Sequence, residues 1–198
     1  FGFLYQVLGI LDQAREEYQR ILRWDPQHAD AHAGLAEILA DHEQWDEAIH
    51  HYRTALEVCR DHARAYRGLG HLYIRQGLWD QAITQLRCAV ALRPHDGGAQ
   101  CWLGEACRRQ KRWEEAIQAY RAALRGGLPT IAIHARLGAL YMKQRRFYKA
   151  WKHLRNAGRG SLRLFTTWEG FRALIATFGG LVRRVAASNP SLMVRNPR

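Results

Sequence analysis

Apolar and polar positions recur with helical spacing along the chain, and that short period sits inside a longer one. Ala14, Ala48, Ala82, Ala116 and Ala150 follow one another at intervals of 34 residues without a slip. Each is preceded by three residues by a large apolar side chain (Leu11, Trp45, Trp79, Trp113, Phe147). Each is followed four residues later by another (Tyr18, Tyr52, Leu86, Tyr120, Leu154). Upstream of each Ala lies a second apolar phrase, FGFLY from Phe1, LAEIL from Leu35, LGHLY from Leu69, LGEAC from Leu103 and LGALY from Leu137. The pattern predicts two antiparallel helices per period. Gly2, Ala36, Gly70, Gly104 and Gly138 fall where the first helix crosses the second, with the Ala column expected opposite, because small residues let backbones approach. Turn signals separate the elements: Gly9, Gly77, Glu43-Gln44 and Lys111-Arg112 within hairpins, Asp25-Pro26, Arg93-Pro94 and Gly126-Gly127 between them.

These columns in a 34-residue frame resemble the tetratricopeptide repeat, over residues 1–164. The resemblance implies an all-α fold, a right-handed α-solenoid of antiparallel helix hairpins, with repeats at 1–28 (partial), 29–62, 63–96, 97–130 and 131–164. The proline expected near each repeat end is present as Pro26 and Pro94, replaced by Arg60 and Leu128, with Pro129 one place late. Beyond the array, 165–187 reads as a capping or amphipathic helical segment rich in apolar residues, and 188–198 as a tail. Trp168, Phe171, Phe178, Arg183 and Arg184 are its candidate docking residues, covering the last repeat, a partner protein or an anionic membrane surface. The chain begins without Met inside the pattern, as expected of a fragment or processed product.

Catalytic chemistry finds little support in the residues. The three serines are Ser161, Ser188 and Ser191, in or near the tail, and HExxH, phosphate-loop and nucleophile-elbow patterns are absent from the sequence. Gly68-Leu69-Gly70 lies within a helix and reads as packing. The ten histidines are scattered, and adjacent His50 and His51 point to different sides of a helix, so they are expected on the surface and not as metal ligands. Neither metal nor cofactor is expected. Cys59, Cys88, Cys101 and Cys107 show no paired spacing, which favours a reducing compartment and a cytoplasmic protein, or one membrane-associated through a partner. No apolar run approaches the roughly 20 residues needed to span a bilayer.

Charge changes the picture from fold to partner. The net charge is +12, but residues 1–62 carry −7, 63–130 carry +6 and 131–198 carry +13. Only four of the 30 basic residues are lysines, and arginine is the better fork for carboxylate and phosphate oxygens. In a solenoid of the implied kind the first helices line an inner groove. Its columns hold Arg64, Arg67, His71 and Arg75, then Trp102, Glu105, Arg108 and Arg109, then Arg136 and Lys143. The preceding repeat offers Asp30, Glu37 and Asp41, so the groove is expected to change sign and to take an acidic ligand at its basic end. The Lys/Asn clamp by which some tetratricopeptide domains grip acidic chaperone tails is not reproduced: its Asn columns hold Gly34, His71, Gly68 and Trp102.

The leading expectation is a non-catalytic protein-interaction scaffold, adaptor or assembly subunit that binds an acidic or extended partner segment. Opposite charge at the two ends also permits head-to-tail self-association. The alternatives are nucleic-acid binding or peripheral membrane contact through the basic carboxyl-terminal half, and a regulatory repeat domain of a larger enzyme.

Overall fold

The apolar stripes become helices where the 34-residue frame places them. A computed structural model describes residues 11–128 and 130–157, which form nine helices and, among the described residues, no strand. The capping segment and tail expected over 165–198, including Trp168, Phe171, Phe178, Arg183 and Arg184, lie outside the described residues. The chain divides into two compact units, one running through Leu128 and one beginning at Pro129.

The first unit holds α1 (Leu11–Trp24), α2 (Ala29–Asp41), α3 (Trp45–Val58), α4 (Ala63–Arg75), α5 (Trp79–Leu92), α6 (Gly97–Arg109) and α7 (Trp113–Arg125). Helices α2/α3, α4/α5 and α6/α7 pair as hairpins, and α1, α3 and α5 each pack on the first helix of the next hairpin. The first helices α2, α4 and α6 also touch in succession, forming one inner row. The second unit holds the hairpin α8 (Thr130–Lys143) and α9 (Phe147–Ala157).

Frame-equivalent residues start and stop these helices. The side chains of His28, His62 and Asp96, one per repeat, accept hydrogen bonds from the N–H groups of Ala31, Ala65 and Ala99 at 3.0–3.1 Å, satisfying a donor that an α-helix start leaves orphaned. Within hairpins the chain turns through a left-handed residue at Glu43 (φ 60°), Gly77 (φ 76°), Lys111 (φ 59°) and Arg145 (φ 56°). The next residue then donates back across the turn: Gln44 to the Leu39 carbonyl at 2.9 Å, Leu78 to Tyr73 and Arg112 to Cys107 at 2.8 Å, Arg146 to Tyr141 at 2.9 Å. Acidic side chains in the first turns of α3, α5 and α7 (Asp46, Asp80, Glu114) complement the helix dipole.

The core follows the columns. Ala14, Ala48, Ala82, Ala116 and Ala150 are fully buried, as are Tyr120 and Leu86, and Tyr52 nearly so. Burying a side chain such as Leu86 contributes about 1.5–3 kcal/mol. Nearest to Gly70 and Gly104 is the large residue four positions after the Ala column: a Cβ at Gly70 would lie 2.5 Å from Leu86 Cγ, and one at Gly104 would lie 2.8 Å from the Tyr120 ring, while one at Gly138 would meet both Leu154 and, at 3.5 Å, the Ala150 carbonyl oxygen. Helical side chains lean toward the amino terminus, so the large residue reaches back over the crossing point. In the same way the rings of Tyr18 and Tyr52 occupy the space that side chains at Gly34 and Gly68 would need, joining each repeat to the next.

Candidate functional site

The row of α2, α4 and α6 carries the predicted groove residues other than Arg136 and Lys143, and the structure places most of these in ion pairs. Arg64 donates from Nε and Nη2 to the two oxygens of Glu37 at 2.7 and 2.5 Å, a fork matching a carboxylate across two repeats. The hydrogen bond to Glu37 holds the guanidinium above its ordinary pKa, against the opposing effect of burial, and Tyr18 also hydrogen-bonds to it. Arg67 reaches Asp96 at 3.1 Å on one side and Glu37 at 3.7 Å on the other. Asp96 thus does two things, capping α6 with one oxygen and accepting from Arg67 with the other.

The middle of the row is aromatic. His71 on α4 stacks on Trp102 of α6, ring centroids 4.2 Å apart and planes 5° from parallel. Burial and the neighbouring Arg75 lower the His71 pKa, so a neutral imidazole faces the indole.

Glu105 dominates the far end. Arg108 donates to it at 2.9 and 2.5 Å, Arg109 at 3.0 Å and the Tyr120 hydroxyl at 2.9 Å. Burial alone would raise this carboxyl, but the three hydrogen-bond donors outweigh it and bring its pKa down to about 2. Two arginines on one carboxylate leave one positive charge uncompensated. Trp102, Glu105 and Arg109 lie three and four residues apart and so share one face of α6.

Arg75 and Arg109 have a further part that the frame explains. Arg75 lies over the Trp45 ring at 5.7 Å and Arg109 over Trp79 at 5.4 Å, each the last residue of one repeat's first helix against the first residue of the previous repeat's second helix. Arg75 also pairs with Glu43 at 3.7 Å. Such cation–π contacts tie neighbouring repeats together at their turns. Lys143 holds the same frame position at the end of α8, and Arg136 is half-buried on that helix; both belong to the second unit.

The structure therefore brings Arg64 and Arg67 together with Glu37 and Asp96, His71 with Trp102, and Arg108 and Arg109 with Glu105. Glu37 was expected in the groove columns and Tyr120 in the core, but neither was expected to pair with these groups, nor was Asp96; laying consecutive repeats in register, so that Glu37 falls beside Arg64 and Arg67, is the signal that finds such pairs. The expectation of surface histidines holds for His42, His50 and His95, which are exposed, and is corrected for the buried His32. His28 and His62 are helix caps, and His32, 9% exposed, joins α2 to α3 through His51, Nδ1 to Nδ1 at 2.9 Å. His134 and His153, three repeats on, form the same contact at 2.8 Å between α8 and α9. Among the described residues there is no cluster of three or more metal-ligating side chains, and no helix is long and apolar enough to cross a membrane.

Helix hairpins with small-residue crossings, left-handed turns and large residues in a 34-residue frame are tetratricopeptide repeats, and this chain is an all-α tetratricopeptide-repeat protein. It belongs to the family of the cilia and flagella-associated protein 70 C-terminal domain, whose model matches residues 1–176. Solved structures of the same fold include PilF from Pseudomonas aeruginosa, 22% identical with a TM-score of 0.72, covering 93% of this chain and 88% of its own. MamA from Desulfovibrio magneticus is 19% identical with a TM-score of 0.68, covering 81% and 92%. YrrB, described as a TPR protein with an unusual peptide-binding site, is 20% identical with a TM-score of 0.65, covering 81% and 84%. No curated protein sequence gives a match.

Proposed function

We propose that the chain is a non-catalytic interaction scaffold whose inner row seats an extended, acidic segment of a partner protein against α4 and α6. The observation that carries this reading is the Glu105 locus, where Arg108 and Arg109 share a single carboxylate beside the stacked His71 and Trp102. A partner carboxylate meets two forked donors there, and an adjacent planar or apolar side chain meets the indole. Arg64 and Arg67 play a smaller part, because Glu37 and Asp96 already occupy them. YrrB supports the reading to the extent that a peptide-binding site is named for a protein of the same fold. The family takes its name from a protein associated with cilia and flagella, which directs the search for a partner to that assembly.

The test is binding of a fluorescent, extended peptide carrying alternating Glu and Phe, measured by anisotropy on the whole chain. Reversing charge with Arg108→Glu and Arg109→Glu is expected to weaken binding by about tenfold or more, since truncating interface charge pairs commonly costs over 1.4 kcal/mol. Binding should also fall as salt is raised. Affinity unchanged by the double reversal would refute this placement of the site.

A further inference from the structure

The second helices carry a pattern of their own on the face away from the inner row. Arg53, Arg87 and Arg121 follow one another at intervals of 34 residues, one each on α3, α5 and α7, and all three are exposed. Arg155 continues the frame on α9. The arginines hold their charge in different company. Arg53 donates to the Tyr73 hydroxyl at 3.1 Å. Arg87 donates to Glu115 at 2.6 Å, but that carboxylate already accepts two hydrogen bonds from Arg112. Arg121 has no ion-pair partner among the described residues.

Between the arginines the surface is notched. Consecutive first helices pack on each other, whereas α3 with α5 and α5 with α7 make no substantial contact, so the second helices stand apart. One cleft of about 540 Å³ is lined by Arg53, Leu56, Glu57, Arg60, Tyr73 and Gln85, with Leu69 of α4, 2% exposed, at its base. The cleft of about 280 Å³ one repeat on is lined by Glu115, Ala119 and Arg125, with Leu103 and Cys107 of α6 as floor. Leu69, Tyr73 and Gln85 become Leu103, Cys107 and Ala119 when moved by one repeat, so the two clefts share these three frame positions, the second being lined from α6 and α7 alone. Val58, 42% exposed, and Leu92, 38% exposed, add an apolar edge one repeat apart at the ends of α3 and α5.

We infer that this outer face is a second docking surface, and that its occupant is an acidic amphipathic helix of a partner protein lying across α3, α5 and α7. Packed helices lie about 8–10 Å apart, and second helices that are not in contact lie somewhat farther. Seven or eight residues of an α-helix advance about 10.5–12 Å, so one helix side presents a group at each repeat if its acidic and apolar residues recur every second turn. Carboxylates then meet the arginine row, and the intervening apolar side chains enter the clefts. The unpaired Arg121 and the surplus positive charge around Glu115 set the sign of the partner; the apolar floors set its amphipathic character. An inner-row ligand reads none of these groups, so this surface stands whether or not the inner row binds an acidic segment.

The probe is a labelled peptide of three heptads, about 21 residues, with Glu and Leu each recurring every seventh position on adjoining lines. A scrambled peptide of the same composition, the same peptide with Lys for Glu, and a single-stranded RNA are the comparisons, all titrated onto the whole 198-residue chain. The heptad peptide is expected to bind and to gain helical circular dichroism on binding. Arg53→Gln, Arg87→Gln and Arg121→Gln together are expected to weaken it about tenfold. Arg121→Gln alone, which breaks no internal bond, is expected to weaken it by a factor of roughly 2–5. The Arg108→Glu/Arg109→Glu variant is expected to leave it unchanged. Equal affinity for the scrambled peptide, insensitivity to the arginine substitutions, or RNA binding through the same arginines in the absence of peptide binding would each overturn the inference.

Discussion

Glu105 offers a test in which stability and binding move in opposite directions. Its carboxyl titrates at about 2 in the folded chain against an ordinary value of 4.5, because Arg108, Arg109 and Tyr120 favour its ionised form. Two and a half pH units correspond to about 3.4 kcal/mol in favour of the fold at neutral pH. The carboxylate is 16% exposed, but Arg108 and Arg109 are 35% and 54% exposed, and water screens what they contribute. A discounted figure of about 1–2 kcal/mol is the better expectation. Glu105→Gln keeps the shape and an oxygen for the Tyr120 hydroxyl while removing the charge. By urea denaturation it should destabilise the chain by about 1–2 kcal/mol at pH 7. A depressed carboxyl stabilises above its unfolded value and loses that stabilisation as pH falls through its folded one, so the gap between variant and wild type should close between pH 5 and 2. The same substitution removes the internal competitor for Arg108 and Arg109, so the acidic extended peptide should bind more tightly although the protein is weaker. A stability gap that is the same at pH 7 and pH 3, or tighter binding that fails to appear, would show that these arginines are not held by the Glu105 charge.

Two further perturbations address the frame itself. Lys111 turns in the left-handed region with φ 59°, where Gly77 stands one repeat earlier, so Lys111→Gly should stabilise the chain by about 0.5–1 kcal/mol, read as a higher urea midpoint; a lower midpoint would contradict the turn geometry. Burial, then His32 and His50, lower the His51 pKa, so stability is full above the unfolded histidine value near 6.5 and declines as pH falls through the folded one. Unfolding midpoints between pH 7.5 and 5 should fall for the wild type and fall less for His51→Asn, and equal slopes would detach the pH dependence from this pair.

The repeat frame was legible because its columns serve packing that every hairpin must solve alike. Ala at the buried column and large residues four positions on recur wherever two helices cross, and helices appear between the turn signals that bracket them. Gly77 announces its turn by residue type, whereas Glu43, Lys111 and Arg145 do so only by standing 34-residue multiples away from it. The capping histidines were harder to read, since histidine is not a preferred capping residue; His28 and His62 take the role because an unprotonated Nδ1 accepts where Asp96 offers an oxygen. For the inner row, residue types and positions were readable, but their state of engagement was not. Glu37 lies 27 residues before Arg64, and Asp96 lies 29 after Arg67, separations that become contacts only when repeats stack.

That stacking alters what the charge gradient means. Read along the chain, acidic and basic repeats suggest an inner groove whose sign changes from end to end. Stacked, the acids of α2 and of the turn after it meet the arginines of α4, so opposite charge in neighbouring repeats becomes cohesion between them: Glu37 with Arg64 and Arg67, Glu43 with Arg75. The Glu37 pairs span half-buried ground, where breaking one partner is costlier than at an exposed site, and they make the inner row a specific fit between repeats as much as a surface for ligands. Positive charge becomes available where acids run short, at Arg108 and Arg109 on the inner row, at Arg87 and Arg121 on the outer helices and at Arg112 just before α7. These places fall in the later repeats of the first unit, beyond the acidic stretch that neutralises the earlier ones. Charge reversal at Arg64 should therefore lower stability before it affects a partner, whereas reversal at Arg109 or Arg121 should affect a partner first.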